Sequence, residues 1–158
     1  MKIKAGLVEQ VEEKLQEEER QNELRKKHGV EDARLPFIEG LDWKYAAAHF
    51  KDNEAMLDTL RFFAGTLDYD AKELEQLFAD VDNEAGRTAY CTKIHSMKNS
   101  ASTVGIIPLA GMAKVLEDAA RKNDENILLT VMPIFMESWL SYREKLAVLK
   151  PESFVDEG

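Results

Sequence analysis

Residues 53–81 carry apolar side chains at Met56, Leu57, Leu60, Phe63, Leu67, Leu74, Leu77, Phe78 and Val81. Spacings of three and four suit one face of an α-helix and no face of a strand. Held for about eight turns, the stripe can be hidden from water only against other amphipathic helices. No period-2 alternation appears elsewhere, and eight Gly and four Pro are too few for a turn-rich all-β fold. Gly65 interrupts the pattern at a cost of about 1 kcal/mol relative to Ala. A bend or break is therefore predicted near residues 65–70.

The remaining segments extend the helical reading. Asp42 to His49 predicts a short leading helix after the connector that carries Pro36. Asp82 and Asn83 form a turn and an N-cap for the next helix. Pro108 suits a helix start, and Leu109, Val115, Leu116 and Ala119 supply that helix's apolar face as far as Lys122. Asn123 and Asp124 mark a turn before a last helix over residues 127–149, which Pro133 should kink or restart. The predicted fold is all-α: an antiparallel four-helix bundle with a short leading helix and an N-terminal helical extension. The predicted divisions are 1–30 for the extension, 31–150 for the bundle and 151–158 for a tail.

Seven acidic and seven basic residues cancel over residues 1–28, so the net charge of −9 belongs to the remainder. Leu7, Val11 and Leu15 make a thin stripe that lapses through Glu17 to Asn22. This reads as a solvated helical linker; a short coiled coil is the alternative, with few heptads to support it. Arg25 to Lys27, His28 and Gly29 read as its last turn and C-cap.

Tyr90 to Gly105 holds the chemistry. At about 100° per residue, Tyr90, Ile94, Met97, Ala101 and Val104 fall on one arc, a core stripe. His95, Lys98, Asn99 and Ser102 fall on a second. A solvent-facing imidazole with an ammonium at i+3 is a poor structural device, because two such cations repel. It suits a phosphoryl acceptor, with the imidazole as nucleophile and the cation offsetting the arriving charge.

His95-Ser96-Met97-Lys98-Asn99-Ser100-Ala101, with Gly105 ten residues after the histidine and an amphipathic run from Leu109 to Arg121, resembles the histidine phosphotransfer (HPt) domain of bacterial two-component phosphorelays. The resemblance spans residues 35–149, with Asn99 standing where the family usually has Gly. It implies that His95 accepts a phosphoryl group from a receiver-domain aspartate and passes it to another receiver. Lys98 would stabilise phosphoryl charge, with Ser96, Asn99, Ser102 and Gly105 in support. Partners would be response-regulator receivers or a hybrid histidine kinase, docked on an apolar surface that includes Ile106, Ile107 and the short leading helix. The chain would be a monomeric relay and not an enzyme, needing no cofactor because Mg²⁺ resides on the receiver. A docking adapter that carries no phosphate, and a domain phosphorylated directly by a kinase, are the alternatives.

Other chemistries find little footing. An acidic balance opposes nucleic acid and anionic membranes as main partners. No apolar run reaches the roughly 18 residues of a membrane span, and residues 1–14 lack a secretory apolar core. Cys91 is the single cysteine and fits a reducing cytoplasm. It reads as a small semi-buried hydrophobe. No zinc spacing, phosphate loop or kinase signature is present, and His49, with no lysine at i+3, reads as a helix-end residue.

Overall fold

Asparagine and aspartate side chains start most of the helices in the computed structural model, which describes residues 35–149 together with Glu13, Lys14, Gln16, Glu17 and Arg20. The chain divides into two units, Met1–Pro36 and Phe37–Gly158. In the first, Glu13, Lys14, Gln16, Glu17 and Arg20 are helical and exposed, and Arg20 pairs with Glu17 at 2.7 Å. The expected stripe at Leu7, Val11 and Leu15, the cap at His28 and the tail at 151–158 lie outside the described residues.

In the second unit, Asp42 caps α1 (Trp43–Ala47), which is shorter than the predicted 42–49. Asp52 caps α2 (Asn53–Phe78) by accepting from Ala55 N at 2.8 Å. Asn83 caps α3 (Glu84–Thr103). Next, α4 (Ile107–Arg121) begins with Pro108 in its first turn and no side-chain cap. Asp124 caps α5 (Glu125–Lys145), after a turn in which Asn123 takes a φ of 55°. A 3₁₀ turn, Ala147–Leu149, follows. Each cap satisfies an amide that the first turn leaves without an intrahelical acceptor. No strand occurs among the described residues, only an isolated bridge between Leu41 and Ile106.

The four long helices form a closed ring: α3 lies between α2 and α4, and α5 between α4 and α2. Long-range bonds show the directions. Trp139 Nε1 donates to Leu67 O at 3.0 Å, and Arg61 Nε, earlier on α2, donates to Leu149 O at 2.8 Å. Thus α2 and α5 are antiparallel. Lys93 on Asp70 and Phe78 against Tyr90 give the same relation for α2 and α3. The core sits inside the ring, around Trp139, Phe135 and Phe63, with edge-on and tilted ring contacts at 5.1 and 5.6 Å. Such pairs stabilise by about 0.5–1.5 kcal/mol beyond area burial.

Neither α2 nor α5 breaks at its expected interruption. Gly65 lies inside an unbroken α2, because Met56, Leu60, Phe63, Leu67, Ala71 and Leu74 are buried along one continuous face. Burying side chains of that size is favourable by about 1.5–3 kcal/mol each, which exceeds the penalty of one exposed glycine. Pro133 likewise lies inside a single α5 and does not restart it. Pro133 and Leu129, whose carbonyl loses its usual donor, are both exposed, so water can take the vacant acceptor.

Gly105 seats α1 on the ring. Its φ is +81°, and a Cβ there would lie 2.7 Å from Asp42 O and 2.8 Å from Ala46 Cβ. Its carbonyl accepts from Asp42 N at 2.8 Å. Gly105→Ala is therefore expected to destabilise by about 2–4 kcal/mol, from left-handed backbone strain plus displacement of α1. Gly65→Ala, where a Cβ meets nothing within 4 Å, should stabilise by up to about 1 kcal/mol. Urea unfolding of the two variants checks both; equal midpoints would contradict this account of Gly105.

Candidate functional site

Tyr90, Ile94, Met97, Ala101 and Val104 are all buried, as the helical arc requires, and this turns His95 outward from the middle of α3. The imidazole is about half exposed, at 49%. Its Nδ1 lies 2.8 Å from Oε2 of Glu117 on α4. Lys98 Nζ donates to the other oxygen, Oε1, at 2.9 Å, and Arg121 Nη2 donates to Oε2 at 2.6 Å. Glu117, with its side chain 3% exposed, is the one buried charged residue among the described residues. Buried carboxylates are tolerated when hydrogen-bonded and paired, and here three donors from two helices converge on one.

The charge state of Glu117 decides which ring nitrogen of His95 faces it with a proton. Burial alone would raise its pKa and is the largest single influence. Hydrogen bonds from Lys98 and His95, with their charges, outweigh it, and the pKa falls below the ordinary value. An ionised carboxylate only accepts hydrogen bonds, so the ring nitrogen facing it, Nδ1, must carry a proton. In the neutral imidazole, Nε2 then holds the free lone pair.

The other predicted site residues separate into two groups. Ser96 and Asn99 line a groove between α2 and α3 together with His95, Thr59, Phe62 and Thr66. Ser102 instead hydrogen-bonds Tyr45 Oη at 3.1 Å, which fastens α1 to α3. Gly105 sits at the α1 seat described above, about 15 Å along the axis from His95. Lys98, expected to meet an arriving anion, has its ammonium on Glu117 and a side chain only 23% exposed.

Some expectations on the surface are corrected. Ile106, placed in the docking surface, is fully buried because its backbone bridges Leu41 beneath α1; Ile107 is exposed. Val115, assigned to the apolar face of α4, is exposed. The large apolar group beside His95 is Phe62 of α2, 74% exposed. His49 packs edge-on against Tyr45 at 5.0 Å, at the end of the leading helix.

Sequence reasoning passed over Glu117, Arg121, Arg87 and Phe62. Glu117 had a visible signal. It follows Leu116 and lies one turn from Ala113 and Ala120, all buried, so an acid stood on an apolar face that needed a partner. On the other side of His95, Arg87, Thr88, Cys91, Thr92 and Arg121 border a second groove. The Cys91 thiol is pushed up in pKa by burial, which prevails over the lowering influence of Arg121 and Arg87. It is therefore not an activated thiolate.

Among the described residues, no group of three or more His, Cys, Asp or Glu side chains is placed to hold a metal ion. No described helix is long and apolar enough to cross a membrane. No protein-family model, curated protein or solved structure gives a significant match to the chain.

Proposed function

We propose that this chain is a histidine phosphotransfer domain, in which His95 carries a phosphoryl group between receiver-domain aspartates of a two-component phosphorelay. The observation that carries the reading is the hydrogen bond from His95 Nδ1 to buried Glu117, which leaves the Nε2 lone pair at the surface. A ring of antiparallel helices with the histidine midway along the second supports the HPt-like arrangement that the sequence resemblance implies.

In the forward step, Nε2 attacks phosphorus of the receiver's aspartyl phosphate in line with the scissile bond. The N–P bond forms as the P–O bond to the aspartyl oxygen breaks, and the carboxylate departs with that electron pair. No proton has to move, because Nδ1 already holds it. The ring gains positive charge as the bond forms, and the Glu117 carboxylate meets that charge at 2.8 Å. The return step onto a second receiver runs the same exchange backwards. Lys98 acts through Glu117, holding Oε1 and keeping the carboxylate ionised. Mg²⁺ for the exchange belongs to the receiver. Phe62, with the groove that Thr59 and Thr66 continue, gives a receiver an apolar contact next to the imidazole.

The test is transfer from phosphorylated receiver domains to the intact chain, followed by gel separation. The expected product is label on this chain that is lost in acid and kept in alkali, as a phosphoramidate behaves. Receivers that bind the chain yet never transfer label would replace the relay with the docking adapter.

A further inference from the structure

No charged side chain lines the groove between α2 and α3 that holds His95, in a chain where 32% of residues are charged. Selection among partners by charge is therefore weak along it. Thr59, Thr66 and Thr92 spend their hydroxyl hydrogens on the carbonyls of Ala55, Phe63 and Thr88, at 3.0, 3.0 and 3.1 Å. Asn99 is different: it is exposed, and its amide makes no hydrogen bond to any described residue.

This amide stands where a docking receiver has to settle. His95 and Asn99 line the same groove. They are one helical turn apart, with Cβ atoms about 6 Å from each other. A helical side chain leans over the turn before it, which carries Asn99 towards His95. With Nδ1 held by Glu117 on α4, Nε2 is directed away from that helix. A receiver that brings its aspartyl phosphate to Nε2 and rests on exposed Phe62 therefore covers Asn99 and strips water from it. A covered amide needs an acceptor for its NH₂ and a donor for its carbonyl. Ser96, also exposed, asks for less, because a hydroxyl rotates to suit either kind of partner.

We infer that Asn99 is a specificity-determining residue, admitting receivers whose docking face offers hydrogen-bonding groups complementary to an amide and rejecting those that cover it with apolar side chains. The inference rests on the phosphotransfer reading. A surface built to hydrogen-bond discriminates more sharply than one that only fits apolar shape. An unmatched amide here should lower transfer by about tenfold or more.

The experiment measures the second-order rate constant of transfer from a panel of phosphorylated receivers to the native chain and to Asn99→Ala. Ala is a strong helix former, so this exposed position should keep its fold, which thermal melting checks. The native chain should prefer some receivers over others by about tenfold or more. In Asn99→Ala the preferred receivers should slow and the rejected ones speed up, narrowing the preference to about threefold or less. Raising salt from about 0.05 to 0.5 M should leave the native preference in place, since no charge makes it. Phosphoramidate, which brings no protein surface, should label His95 at the same rate in both chains. A preference that is absent from the native chain, lost in high salt or unchanged in folded Asn99→Ala would overturn the assignment and leave the relay standing. So would a phosphoramidate rate that falls in the variant, because Asn99 would then act on the phosphoryl group and not on the receiver. A native chain that phosphoramidate labels and no receiver labels removes the relay, and the assignment with it.

Discussion

A chain in which His95 is replaced by Gln is expected to take no label from any phosphorylated receiver, while remaining folded and still binding receivers. Gln supplies an amide whose nitrogen lone pair is delocalised into its carbonyl, so the nucleophile is gone. The fold should survive because His95 is half exposed and belongs to no part of the core. Its side chain hydrogen-bonds to Glu117, which keeps Lys98 and Arg121 as partners. The cost in stability should be about 1 kcal/mol, that of one hydrogen bond to a charged group in a partly wet site. Receiver binding should hold, since Phe62 and its groove on α2 are untouched. Label counting on the native and variant chains, beside urea melts of both, checks all three statements. Label retained by the variant would move the acceptor elsewhere, and His49, exposed at the end of α1, would be the next histidine to replace.

The parts of this structure legible in the sequence are those set by neighbours along the chain. Asn83 and Asp124 as caps, Pro108 in a first turn and the buried arc of Tyr90, Ile94, Met97, Ala101 and Val104 all follow from local geometry. That arc also turned His95 to the surface. Periodicity gives the face on which a residue sits, but not what it meets across the interface. Hence the pairing of His95 with Glu117, 22 residues away, was invisible although both faces were known. The same limit hid Ile106, which a bridge to Leu41 draws into the core, and Phe62, which matters only because α2 runs beside α3. At Gly65 and Pro133 local preference predicted a bend or break and a kink or restart; neither helix breaks or restarts, because buried residues on both sides keep each continuous.

Replacing Glu117 should damage both transfer and stability, and the two conservative choices separate these effects. Glu117→Ala leaves the Lys98 ammonium, largely shielded from water, without its carboxylate. A loss of about 2–3 kcal/mol is expected, below the full cost of breaking a buried pair because Arg121 is exposed and recovers water. Glu117→Gln preserves the volume and still accepts from Lys98 through its carbonyl. Its NH₂ group then faces His95 Nδ1 and Arg121, both of which donated to the carboxylate. The imidazole avoids the clash of donors by moving its proton to Nε2, which occupies the nucleophilic lone pair. Transfer should fall by about 10²-fold in this folded variant, as for other histidines that lose the carboxylate holding their tautomer. The pH dependence supplies an independent check. A carboxyl whose folded pKa is lowered adds stability that is complete above its unfolded value, 4.5 for an ordinary Glu, and is lost as pH falls through the folded value. The stability difference between native chain and Glu117→Gln should therefore be constant at neutral pH and shrink only in acid, below about 4.5. A difference that already declines between about pH 7 and 5 would mean that burial prevails over Lys98 and His95. Glu117 would then be protonated, Nδ1 would lose its acceptor, and the exposed lone pair on Nε2 would no longer be assured.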